Sequence, residues 1–124
     1  MRCDPDQFER LVADAVAQVP EHLRGYLDNI VIEVQDLPDR DTLRRTGLRS
    51  RRDLLGLYVG IPLTGRSVAL SGNLPDKIVI YQANIERLCR TEAQIVEQVR
   101  RTVLHEIGHH FGLDEDDLAE HGYG

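Results

Sequence analysis

The stretch VLHEIGHHFGLDEDDL, residues 103–118, decides how the chain is read. It contains His-Glu-x-x-His at positions 105 to 109, a glycine at 112 and then a run of acids. Histidines four residues apart share one face of an α-helix, with Cβ atoms roughly 6 Å apart. The imidazoles of His105 and His109 then reach one ion at the zinc–nitrogen distance of about 2.0–2.1 Å. Glu106 lies one step round the helix and faces a water on that ion without displacing it. A carboxylate there accepts the proton of a water whose pKa zinc lowers toward about 7. The His-Glu-x-x-His spacing supports this chemistry.

The bland alternative is a solvated helix end with no metal. The flanking sequence argues against it. Thr91, with Gln94 three residues on, forms a capping box that starts the helix. Val96, Val99, Val103, Ile107 and Phe111 fall on one face. His105 and His109 project roughly opposite, because each residue turns a helix by about 100°. Gly112 is suited to end the helix in the left-handed region. A catalytic zinc takes three protein ligands and keeps one open position. Asp114, Glu115 and Asp116 are in reach of the pair, with His121 further on. At most one or two of these need touch metal; the rest form a solvated acidic tail. His110 points away from the pair and is expected to pack rather than ligate. Gly108 weakens the helix next to the site, and close approach of another backbone would explain it.

The chain has 124 residues and a formal net charge of −6. This length suits one domain over 1–124, with a core large enough to fold without a metal staple. A metal is therefore expected to be catalytic. The negative charge argues against nucleic-acid binding through overall charge. Lys77 is the only lysine. Cys3 and Cys89 form no CxxC pair and are expected to be reduced thiols. The start of the chain has no apolar leader segment, and no run is long enough to span a membrane, so a cytoplasmic protein is expected.

Working back from the motif, Asp4 and Pro5 open a helix carrying Phe8, Leu11, Val12, Ala15, Val16 and Val19 at helical spacing, and Pro20 stops it. NIVIEVQDLP, residues 29–38, reads as a strand. Residues 39–52 are polar and arginine-rich and read as loop. LLGLYVGIPL, residues 54–63, is a second strand broken by Gly60 and Pro62, and KIVIYQANI, residues 77–85, a third. The Gly- and Ser-rich segment between them reads as a turn region. Helix, three strands, helix and short tail make an α+β domain.

HEIGHHFGLDE resembles the zincin metallopeptidases with the extended pattern HExxHxxGxx(H/D). LLGLYVGIPL, LPDKIVIYQANIERLC and VRRTVLHEIGHHFGL are more closely similar to the small bacterial zincin-like peptidases, over roughly residues 54 to 118. The resemblance implies a metal helix packed with the N-terminal helix on a small twisted sheet of about three strands. It implies zinc held by His105 and His109, Glu106 as catalytic base, and a peptide or protein substrate that pairs with the sheet's edge strand. The family's third ligand, usually Asp, falls at Glu115, a departure that leaves Asp114, Asp116 and His121 as alternatives. A Met-turn is excluded, since Met1 is the only methionine.

Two other functions compete. Zinc endoribonucleases share the histidine spacing and the glycine, but lack the acid after the first histidine and carry a third histidine. Only the arginines at 44, 45, 49, 51 and 52 favour RNA, and a solvated loop balanced by nearby acids explains them better. The other is a zincin shell that binds metal or protein without turnover. Tyr123 or His121 is a candidate for stabilising an oxyanion. Substrate identity and oligomeric state are not legible.

Overall fold

The computed structural model describes residues 1–60 and 75–113. Residues 61–63 of the second expected strand, the Gly- and Ser-rich turn up to residue 74, and Asp114, Glu115, Asp116, His121 and Tyr123 lie outside the described residues.

Helix α1 spans Pro5–Ala17. The Asp4 carboxylate accepts the Gln7 N–H at 2.8 Å, and Pro5 takes the first position, where its missing N–H costs no helical bond. Phe8, Leu11, Val12 and Ala15 are buried as their spacing predicts, whereas Val16 is only partly buried. Short helix α2, Glu21–Arg24, and a 3₁₀ turn lead to strand β1, Ile30–Gln35. Ile30, Ile32 and Val34 pack on the core, while Val31, on the opposite face, is exposed.

Two expectations are corrected. Residues 39–52 are not a loop: they contain helix α3, Arg40–Thr46, and end in a 3₁₀ turn, Arg51–Asp53. Asp39 caps α3 by accepting the Thr42 N–H at 2.7 Å, and Gly47 ends it at φ 74°. These are local capping signals, and the arginine content masked them. Nor do residues 77–85 form a single strand. Strand β3 is Asp76–Tyr81, and the chain then turns into helix α4, Gln82–Leu88. Asn84 holds that turn by donating to the carbonyls of Arg51 and Leu54 at 2.7 and 2.6 Å.

Strand β2 is Gly56–Val59, shorter than the apolar run around it. The sheet order is β1–β3–β2. β1 runs parallel to β3, with Ile30 opposite Asp76, and β2 runs antiparallel to it, with Gly56 opposite Ile80. Among the described residues the edges are therefore β1 and β2. From β3, Ile78 and Ile80 enter the core beneath α5, on which α1 packs. Tyr81, on the other face, is buried as well.

Helix α5, Glu92–Phe111, crosses this core. The Thr91 hydroxyl accepts the Gln94 N–H at 3.1 Å, but the Gln94 amide oxygen accepts from Arg90 N–H rather than Thr91 N–H, so the reciprocal half of the capping box lands one residue early. Ile95, Val99, Val103, Leu104 and Ile107 are fully buried. The apolar face differs from the expected one at both ends. Val96 is only partly buried, and Phe111 is 41 % exposed. A stripe advancing four residues at a time drifts by about 40° per step. By Phe111 it has left the core and meets the Tyr26 ring at 4.7 Å. Gly112, at φ 67°, closes the helix as expected, and its N–H and that of Leu113 converge on the Gly108 carbonyl.

Candidate metal centre

α5 lies directly against β2 because residue 56 has no side chain. A Cβ on Gly56 would sit 2.5 Å from Thr102 Cγ2 and 3.0 Å from the Val79 carbonyl oxygen. That approach brings Tyr58 beside Glu106. Antiparallel pairing alternates, so successive amides of an edge strand point in and out. Leu55 O accepts the Tyr81 N–H at 3.0 Å, which turns the Tyr58 amide away from β3. It donates instead to Glu106 Oε1 at 2.8 Å. The carboxylate next to the first motif histidine is thus held on the edge of the sheet.

His105 and His109 lie on the exposed side of α5. Their ring centroids are 4.3 Å apart and the planes are tilted by 41°. At that separation both rings can turn a nitrogen toward one ion at zinc–nitrogen distances of about 2.0–2.1 Å. His110 does not join them. Its ring stacks on Tyr58 at 3.7 Å and 13°, and meets Phe111 edge-on at 4.8 Å. It packs, as its helical phase predicts. The Tyr58 hydroxyl donates to Asp76 Oδ2 at 2.7 Å, fixing the ring that His110 stacks on. Burial and then the neighbouring Asp76 push that phenol well above its ordinary range, so it stays protonated.

Among the described residues no group of three or more His, Cys, Asp or Glu is arranged to hold a metal. The pair and Glu106 come together as expected, and the position of the third ligand, Glu115 or its alternatives, falls outside those residues.

Beside the pair, a cavity of about 420 Å³ runs between the start of β2 and α5. Leu54, Leu55 and Gly56 line it from one element and Gln98, Arg101, Thr102, His105 and Glu106 from the other. Glu97 accepts two hydrogen bonds from Arg100, at 3.1 and 2.7 Å, and one from Arg101 Nε at 3.0 Å. The Arg100 contacts are the first cause that holds its carboxyl below the usual range. In the arginine cluster, Arg44 pairs with Asp41 at 3.2 Å and Arg51 donates to the Pro38 carbonyl at 2.8 Å, so both serve local structure.

Four residues of this site were not singled out by their sequence: Gly56, Tyr58, Asp76 and Arg101. Gly56 lies inside an apolar run whose breaks were read at Gly60 and Pro62. The role of Tyr58 rests on its backbone amide, which has no sequence signature.

No helix among the described residues is long and apolar enough to cross a membrane. No curated protein matches the chain. A family model for zincin-like metallopeptidases matches residues 27–123, starting well before the motif-bearing segments that begin at Leu54. Because that match takes in the whole sheet, α5 and the acids after it, the chain belongs to the zincin-like metallopeptidase family.

Proposed function

We propose that this chain is a zinc-dependent peptidase with His105 and His109 as two metal ligands, Glu115 as the third, and Glu106 as general base. The observation that carries this reading is the convergence of three motif side chains at one edge of the sheet. The imidazoles lie 4.3 Å apart, and the Glu106 carboxylate is anchored to Tyr58 of the edge strand. A zinc ion held there would supply Lewis acidity and a water acidic enough to lose its proton near neutral pH.

Glu106 Oε1 is engaged by the Tyr58 amide, which leaves Oε2 to accept that proton. The fixed Oε1 contact orients the carboxylate before substrate arrives. β2 offers its outward carbonyls to an extended peptide, which would add a strand beside the base. The stacked Tyr58 and His110 rings lie beside it. We also place the protein in the cytoplasm, on the strength of two free thiols, one of them buried.

Metal content tests the ligand assignment. Purified wild-type protein is expected to hold about one zinc per chain, the complement of a single catalytic site. His105→Ala and His109→Ala should each lose it. Full zinc in both variants overturns the assignment.

A further inference from the structure

The cavity beside Glu106 is polar on one side, and its charged groups differ in how they are held. Arg101 stands one helical turn before His105, so its stem and the imidazole share a face of α5. Its Nε is committed to Glu97 at 3.0 Å, and Glu97 is itself gripped by the buried Arg100. Among the described residues the Arg101 Nη groups have no hydrogen-bond partner, and Arg101 is one of the residues that line the cavity. A guanidinium fixed through Nε presents its two Nη groups as a pre-set fork, which suits a carboxylate. Asp53 lines the same cavity but sits exposed at the end of a short 3₁₀ turn, and among the described residues no hydrogen bond orients its carboxylate. A charge on a rigid long helix selects a ligand better than one on a turn.

We propose that Arg101 is a specificity-determining residue that binds a carboxylate of the substrate immediately beside the scissile bond. The inference rests on the peptidase reading for the identity of that substrate. Two sources carry the group: an acidic side chain, or the free C-terminus of a peptide cut near its end. Either enters the cavity between Leu55 and Thr102, with its charge at Arg101 and its backbone along β2.

The test is binding of fluorescently labelled short peptides to zinc-loaded protein. One set has Glu, Gln or Lys at a single internal position; the other has a free or an amidated C-terminus. Wild type should bind the Glu peptide, or the free-acid peptide, about tenfold tighter than its neutral counterpart, as expected for one charge-assisted hydrogen-bonded contact. Arg101→Gln should abolish that preference, Arg101→Lys should keep part of it, and Asp53→Asn should leave it intact. Which set shows the preference identifies the source of the carboxylate. No preference in wild type, a preference that survives Arg101→Gln, or a preference for the Lys peptide that Asp53→Asn removes each overturns the proposal. Hydrolysis is followed in the same samples. Preference without cleavage sinks the peptidase reading and leaves Arg101 standing only as a carboxylate-binding residue; cleavage without preference overturns the Arg101 assignment and leaves the peptidase reading standing.

Discussion

The Tyr58 backbone N–H donates to Glu106 Oε1 at 2.8 Å, so the motif carboxylate on α5 is held by the backbone of β2, 48 residues away in the chain. One bond therefore joins the base to the strand on which a peptide would pair. Neither element can shift against the other without releasing it.

Removing that amide isolates its contribution. Tyr58→Pro deletes the N–H without breaking the ladder to β3, because the amide points away from that strand. Tyr58→Ala removes the same ring but keeps the amide. Zinc content should be unchanged in both. Peptide hydrolysis should fall about tenfold further in the proline variant, the worth of one hydrogen bond to a charged group. Equal rates in the two variants would show that the amide does not position Glu106.

Gly56 sets the distance between β2 and α5. Gly56→Ala forces a Cβ to within 2.5 Å of Thr102 Cγ2 and 3.0 Å of a backbone oxygen that cannot move aside. Overpacking of this kind costs about 1–3 kcal/mol, visible as a lower denaturant midpoint. The same displacement should lengthen the Tyr58–Glu106 bond and lower activity. Gly56→Ala combined with Thr102→Ser removes the clashing methyl and should recover part of the stability. A double variant no more stable than Gly56→Ala would mean that the Val79 carbonyl, not Thr102, sets the approach.

Much of this site follows from local chemistry that the chain spells out, and the remainder does not. The capped helix, the phase of His105 and His109, the packing role of His110 and the glycine stop at 112 are all readable, because helix periodicity and capping act over a few residues. Helix α3 was missed where arginine content outweighed the Asp39 cap and the Gly47 stop. Helix α4 was missed where a β-branched run continued into QANI and only Asn84, through contacts to Arg51 and Leu54, marks the turn. Pairing of β3 between β1 and β2 depends on contacts distant in sequence, and so do the Tyr58 amide and the Gly56–Thr102 approach. No local pattern encodes these.

Acid should probe the Glu97 cluster. Its carboxyl lies below its ordinary value of 4.5 in the folded chain, chiefly through hydrogen bonds from Arg100 and then Arg101. A depressed folded pKa contributes stability above the unfolded value, and that contribution is lost as pH falls through the folded value. Wild type should therefore lose melting temperature more steeply than Glu97→Gln as pH drops below about 4.5. The gap between the two proteins should narrow on acidification. A gap that stays constant with pH would mean that the arginine contacts contribute nothing to folding.

The third ligand separates three adjacent acids. If Glu115 completes the metal set, Glu115→Ala should weaken zinc affinity more than Asp114→Ala or Asp116→Ala. Glu115→Asp should be tolerated, since Asp is the usual residue at this position in the family it resembles. Zinc loss in Asp116→Ala or His121→Ala, with Glu115→Ala silent, would move the ligand without disturbing the pair on α5.

The central claim is that Glu106 acts as the base at a zinc site formed by His105 and His109. Its most direct test is peptide hydrolysis by wild type and Glu106→Gln at matched zinc content. General-base catalysis contributes about 10²–10⁴ in rate, so the variant should keep its zinc and lose at least ~100-fold in hydrolysis. A zinc-loaded Glu106→Gln protein that cleaves peptide at the wild-type rate, or a zinc-loaded wild type that cleaves none across a broad peptide library, contradicts it.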